Sequence, residues 1–291
     1  MTGWLRYLVP KILLPTFIWP HQVLGSLDLA SSIPPTPRLL PAGVAALPFG
    51  LGLKWSDGTR LEEVAATMMA RSAGFPVPKI ISYGDHPDTP WAPMSVIMTR
   101  IPGKDMGDFT VWEGMNDDER ESIFAELQCI LQAMRKWKHP GGKYQICSVL
   151  GTAIRSIRVP DNAVGPCESE SEFNNHLFGS NSSRSFESQE QYEELVEIAE
   201  RLRNVQHPII FTHGDLQHHN VVVLNGHVTA LLDWETAGWY PDYWDFTTPL
   251  KFGPKDHWWN WLIMRLGGER YTAELESEKA LVPPWADAWS W

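Results

Sequence analysis

The stretch His213–Glu235, HGDLQHHNVVVLNGHVTALLDWE, gathers the groups in this chain best suited to chemistry: His213, Asp215, His218, His219, Asn220 and Asp233. Two chemistries compete for such a set. Imidazoles are zinc ligands, whereas carboxylate and amide oxygens are hard donors that suit magnesium held against phosphates. A zinc site needs three or four convergent ligands. His218 and His219 are adjacent and point to opposite sides of an extended chain, and no HExxH, CxxC or HxH spacing occurs. His213 stands beyond a glycine turn, where it fits a core histidine bracing that turn through hydrogen bonds.

The oxygen donors have a firmer geometric tie. Asn225-Gly226 lies between the apolar runs VVVL and HVTALLD, and Asn-Gly in that setting is the strongest short signal for a hairpin. With those residues as the turn, Leu224 faces His227 and Asn220 faces Leu231. Alternation then puts Asn220, Val222 and Leu224 on one face with His227, Thr229, Leu231 and Asp233. Asn220 and Asp233 become diagonal neighbours roughly 7–8 Å apart, a gap that one cation can bridge. The buried strand PIIFT delivers the chain into the His213-Gly214-Asp215 turn.

The surrounding elements divide by character. FGLGLKW (49–55) reads as a strand closed by Ser56-Asp57-Gly58. A helix fits Leu61 to Arg71, with Leu61, Val64, Ala65 and Met68 on one face. GFPVPKIISYG leads into a short strand, and MSVIMTRIPG (94–103) is a buried strand ending at Ile101-Pro102-Gly103. Beyond it Asn116 and Glu119 form a capping box, followed by the core stripe Ile123, Phe124, Leu127, Ile130, Leu131 and Met134. GSNSSRSFES (179–188) is a polar loop. Helix resumes over QEQYEELVEIAERLRNV, with Tyr192, Leu195, Val196, Ala199 and Leu202 inward. A strand-rich first third thus precedes a helical remainder, an α+β order.

At 291 residues the chain is long enough for two lobes or one large domain. A net charge of -11 without a long basic run excludes a nucleic-acid groove. Cys129, Cys147 and Cys167 are odd in number and far apart, so no disulfide framework is expected and a cytoplasmic location fits. The run MTGWLRYLVPKILLPTFIWP is interrupted by Arg6, Pro10, Lys11 and Pro15. A membrane span needs about 20 uninterrupted apolar residues, so none is expected. Packing on the domain surface is favoured over weak peripheral membrane contact through Trp4, Leu5, Leu8, Ile12 and Phe17.

Of the 15 tryptophans, Trp234, Trp239, Trp244, Trp258, Trp259 and Trp261 crowd the end of the chain with Tyr240 and Tyr243. Most are expected to be packing residues. Beside Asp242, Asp245 and Asp256, some would suit a cage for an amine. Glu235, Trp239 and Tyr240 are the candidate acceptor contacts.

The combination of H-G-D-x-x-x-x-N at His213 to Asn220, the hairpin, and Leu231-Leu232-Asp233-Trp234 resembles the aminoglycoside phosphotransferase and choline kinase family, relatives of protein kinases. The likeness is greatest to the fungal phosphotransferase enzyme family and runs from about residue 38 to about residue 280. LPFGLGLKW resembles that family's nucleotide strand, and LEEVAATMMARSAGFPVPKI the helix carrying the carboxylate partner of its lysine. SVIMTRIPG resembles the hinge beside the adenine, and DWETAGWYPDYWD the run after the metal aspartate.

The resemblance implies a two-lobed protein kinase-like fold. An N-terminal extension (1–37) would precede a small antiparallel β-sheet lobe with one helix (38–100) and a larger, mainly helical catalytic lobe (101–291). It implies Asp215 as base, with His213 in the same catalytic motif, and Asn220 and Asp233 as Mg²⁺ ligands. Lys54 would contact the α and β phosphates of ATP or GTP, steadied by Glu62, with Glu63 second in register. Met98, Thr99 and Ile101 would border the adenine. Phosphoryl transfer asks the protein for positioning and charge neutralisation, which these residue types supply.

The expected activity is transfer of the γ-phosphate to a hydroxyl of a small metabolite, with an amine-bearing acceptor, a sugar and a specialised metabolite all open. No A-P-E ending follows Asp233, which disfavours a protein acceptor. One departure supports an alternative. Between Arg38 and Lys54 only Gly43, Gly50 and Gly52 stand where a Gly-rich phosphate loop would run, as in a nucleotide-binding pseudokinase without turnover.

Overall fold

The computed structural model describes residues 39–40, 44–90, 92–139, 145–159, 162–178, 188–252 and 257–280. The apolar N-terminal run, Arg38, Gly43, Asp256 and the polar loop up to residue 187 lie outside them. Strands β1 (Leu39–Leu40), β2 (Val44–Leu47) and β3 (Leu51–Lys54) precede helix α1 (Leu61–Ser72). Then come β4 (Ile80–Asp85), β5 (Met94–Thr99), β6 (Lys104–Asp105), α2 (Phe109–Glu113) and α3 (Asp117–Met134). The short strands β7 (Cys147–Ser148), β8 (Ile154–Arg155) and β9 (Ala163–Val164) lead to α4 (Glu170–Phe178) and α5 (Gln189–Arg203). After β10 (Ile209–Thr212), β11 (Val221–Leu224), β12 (His227–Leu231) and β13 (Gly238–Pro241) the chain ends in α6 (Trp244–Phe252), α7 (Trp258–Leu266) and α8 (Thr272–Ala280).

The chain divides into two compact units. One joins the residues up to Glu126 with His218–Glu235, and the other joins Leu127–Gln217 with the residues from Thr236 onward. Strand pairing joins the hairpin segment to the first of these units. β6 extends the β11–β12 hairpin, with Asp105 opposite Val222, and the Leu231 N–H reaches the Pro76 carbonyl at 2.8 Å.

In the first unit the antiparallel sheet runs β1-β2-β3-β5-β4, and Lys54 stands opposite Val44 and Val96. Val64 and Met68 of α1 pack with Met94, Val96, Ile80, Tyr83 and Met98. The buried positions of α1 are Glu63, Val64, Ala66, Thr67 and Ala70, whereas Leu61 is 43% exposed. The inward face is therefore turned away from the expected Leu61-Ala65 side, toward small residues that a search for large apolar side chains passes over. The capping box forms as expected: Asn116 Oδ1 accepts the Glu119 N–H and Glu119 Oε2 accepts the Asn116 N–H, both at 3.0 Å.

The second unit is built on a core that includes Phe173, Ala199, Leu202, Tyr240, Tyr243 and Trp244, against which Tyr192, Leu195 and Val196 pack. A small antiparallel sheet, β10-β13-β7, carries the chain into the His213 turn. Among the described residues no helix is long and apolar enough to cross a membrane.

Candidate active site

In the first unit, charge concentrates on Lys54. Its Nζ donates to Glu63 Oε1 at 2.9 Å and to Asp233 Oδ1 at 2.7 Å, and Glu235 Oε2 lies 3.8 Å away. Burial disfavours the ammonium, but Glu63, Asp233 and Glu235 outweigh it and hold the Lys54 pKa above its ordinary value. Glu63 shows the opposite balance. Its burial and the charges of Asp233 and Glu235 outweigh Lys54 and push its carboxyl up to about 7. One oxygen from each of Glu63, Asp233 and Glu235 lies within 4.8 Å of the others.

The expected partner Glu62 is corrected to Glu63. Glu62, half-buried one position earlier on α1, pairs with Arg60 at 3.5 Å. Glu235, a candidate acceptor contact, lies beside the lysine cluster. It sits so close to the turn after β3 that a Cβ on Gly58 would stand 2.7 Å from its Oε2.

The hairpin forms through Asn225 (φ 52) and Gly226 (φ 75), the left-handed pair of a type I′ turn. Leu224 faces His227 as expected, but the register shifts between Val222 and Val223, so that Val222 faces Ala230 and Val221 faces Leu231. This bulge, absent from simple alternation, breaks the single face proposed for Asn220 and Asp233. The two segments stay joined because the Leu232 N–H donates to the Asn220 carbonyl at 2.8 Å. Asp233 then takes a left-handed backbone, φ 59, and bonds Lys54 from there. On the neighbouring strand Met98 stands opposite Gly52 and Thr99 opposite Leu51, followed by half-buried Ile101.

In the second unit β10 ends in His213-Gly214-Asp215. Gly214 has φ 86, and a Cβ there would lie 2.4 Å from the Thr236 carbonyl. Asp245, in the first turn of α6, accepts the His213 N–H at 3.0 Å and the Gly214 N–H at 2.7 Å. Burial raises its carboxyl pKa, although His213 and the two N–H donors oppose the shift. His213 is fully buried; its Nδ1 faces the Asp215 N–H at 3.4 Å and its carbonyl accepts the Thr236 hydroxyl at 3.1 Å. His213 therefore stands where the sequence reading puts a core histidine, against the turn it braces. Asp215 itself is half-buried.

Trp239 and Tyr240 are also corrected as acceptor contacts. Both are buried in the core, Tyr240 stacks on Trp244, and its hydroxyl donates to the Thr236 carbonyl at 2.6 Å.

A model of the phosphotransferase enzyme family matches residues 51–281, from the start of β3 onward. The chain belongs to the phosphotransferase enzyme family. No curated protein matches it in sequence. Among solved structures, the streptomycin-ATP-APH(2'')-IIa ternary complex is similar with a TM-score of 0.54 at 13% identity, over 90% of this chain and 86% of that one. ADP-bound aminoglycoside phosphotransferase APH(2'')-Ib gives 0.53 at 12% over 90% and 86%. The apo form of a thermostable mutant of aminoglycoside phosphotransferase APH(4)-Ia gives 0.53 at 11% over 81% and 78%. These identities carry the fold, which is the protein kinase-like fold of aminoglycoside phosphotransferases.

For a member of this family the lysine cluster is a fit for a hard divalent cation. Three carboxylates face one ammonium, an excess of negative charge, and Asp233 and Glu235 are only half-buried. Carboxylate oxygens with room for water are the donor set that Mg²⁺ takes. Sequence reading ranked Glu63 second to Glu62 and set Asp245 among the aromatic residues rather than at the His213 turn. An acid inside an otherwise small-residue helix face, and another flanked by aromatic residues in DYWDFTTPL, were the available signals.

Proposed function

We propose that this phosphotransferase transfers the γ-phosphate of ATP, with GTP as a second donor, to a hydroxyl of a small, amine-bearing metabolite in the cytoplasm. The observation that carries this reading is Lys54 bonded at once to Glu63 and Asp233, a lysine held extended by its carboxylates as phosphate contact demands. Lys54 contacts the α and β phosphates, and Glu63 fixes it there. Met98, Thr99 and Ile101 border the adenine.

Asn220 and Asp233 would hold Mg²⁺, with Glu235 beside them; the bound ion neutralises charge on the nucleotide phosphates. Asp215 accepts the proton of the acceptor hydroxyl as its oxygen bonds to the γ-phosphorus and the bond to the β–γ bridging oxygen breaks. Asp245 and His213 keep the turn that presents Asp215. The acidic balance of the chain, -11, suits a cationic acceptor, and solved relatives include complexes with gentamicin and with streptomycin.

The test is a screen of amino sugars and amino alcohols for acceptor-stimulated ADP release. A positioned base is worth about 10²–10⁴ in rate, so Asp215→Ala should abolish the stimulation while nucleotide binding survives. Stimulation that persists in Asp215→Ala would remove the base from this scheme.

A further inference from the structure

The second unit carries a cluster of side chains that phosphoryl transfer leaves unused. Cys167 follows β9, and its backbone exchanges two hydrogen bonds of 3.0 Å with Ile146, which fixes the buried thiol in place. Helix α4 starts three residues later. The Ser169 hydroxyl accepts the Glu172 N–H at 3.2 Å, and Glu172 Oε2 accepts the Glu168 N–H at 2.8 Å. His176 lies four residues beyond Glu172, one turn along the same face. Both side chains are exposed. One ligand atom from each of Cys167, Glu172 and His176 lies within 4.8 Å of the other two.

We propose that Cys167, Glu172 and His176 form a site for a thiophilic divalent cation of the zinc class, with water completing four-coordination. Thiolate, imidazole and carboxylate together are the mixed donor set zinc accepts, and a thiolate disfavours Mg²⁺. Bonds of about 2.0–2.3 Å in a tetrahedron put ligand atoms about 3.3–3.8 Å apart. From separations within 4.8 Å the cluster closes by at most about 1.5 Å, a rotation the exposed Glu172 and His176 can make toward the fixed sulfur. Capping leaves Glu172 with spare lone pairs, since a carboxylate offers about four acceptor sites.

In the metal-free protein, burial and the Glu172 charge push the Cys167 thiol up to about 11. It is then protonated at neutral pH, and metal binding releases that proton. The ion would staple the segment after β9 to α4. The first residue of that helix, Glu170, holds the His207 N–H at 2.8 Å just ahead of β10, the strand that enters the His213 turn.

The test uses the full chain, stripped by chelator, in excess Mg²⁺ to occupy the Asp233 cluster, and titrated with Co²⁺. The expected result is a thiolate-to-cobalt charge-transfer band that saturates at one equivalent and disappears on adding Zn²⁺. Cys167→Ser should abolish the band and Cys147→Ser should retain it. His176→Ala should weaken binding by more than the roughly 10–100-fold that loss of an outer hydrogen-bond partner costs. Zn²⁺ should raise the Tm of the parent chain but not of His176→Ala. Because His176 is exposed, that variant decides the matter even if Cys167→Ser fails to fold. No band in the folded parent, an undiminished band in His176→Ala, or a band lost in Cys147→Ser would overturn the site.

Discussion

Lys54 and Asp233, 179 positions apart in the chain, are joined by an ion pair of 2.7 Å. The contact draws the central strand of the sheet to the end of the hairpin, and Glu63 adds α1 to the same ammonium. It depends on a bulge and on a left-handed aspartate, features that place the carboxylate without regular alternation.

Removing Glu63 should cost more than removing Glu62. Glu63→Ala takes one partner from a buried lysine, a loss of about 1–3 kcal/mol, and should weaken nucleotide binding as well. Glu62→Ala leaves the Lys54 contacts with Glu63 and Asp233 in place and should cost less. Denaturant midpoints with unchanged m-values check the contrast. Equal losses would mean that the two carboxylates share the role.

This pair also marks where the sequence was legible. The Asn225-Gly226 turn, the Asn116–Glu119 capping box and the α5 stripe follow from local chemistry, and each forms where the residues predict it. The resemblance, aligned on Phe75-Pro76-Val77-Pro78, favours Glu62 over Glu63, whereas the packed face of α1 buries Glu63 with Val64, Ala66, Thr67 and Ala70. Bulges and left-handed aspartates are settled by tertiary contacts such as Leu232 to Asn220, which no periodicity encodes. Trp239 and Tyr240 fall with the packing residues expected for most of the late aromatic cluster.

Asp245→Ala should lower kcat with little change in nucleotide KM. It removes the acceptor of two backbone N–H groups in the turn ahead of Asp215, and a displacement of about 1 Å there is worth about 10²-fold in rate. Steady-state kinetics of the two parameters separate this from a nucleotide-site defect, which would raise KM.

Gly214→Ala combines a left-handed φ of 86 with a Cβ placed 2.4 Å from the Thr236 carbonyl. The backbone must move, so turnover should drop at least as far as in Asp245→Ala, with a destabilisation above about 1 kcal/mol. Near-parental activity would show that the turn tolerates another conformation.

His207 gives the fold a pH dependence. Burial opposes its protonation, but hydrogen bonding and charge from Glu170, with Glu274, prevail and raise its pKa above 6.5. A group raised on folding stabilises fully below its unfolded value and loses that contribution as pH rises through the folded value. The stability difference between the parent and His207→Gln should therefore be largest in mildly acidic solution and shrink as the pH rises above 6.5. Unfolding curves across that window check it; a difference that grows with pH would reverse the assignment.

The most direct test of the central claim is calorimetric titration of ATP with and without Mg²⁺, on the parent chain, Asp233→Asn and Asp215→Ala. The account predicts Mg²⁺-dependent binding in the parent and Asp215→Ala, and loss of that dependence in Asp233→Asn. Binding that ignores Mg²⁺, or that keeps its full Mg²⁺ dependence in Asp233→Asn, would contradict it.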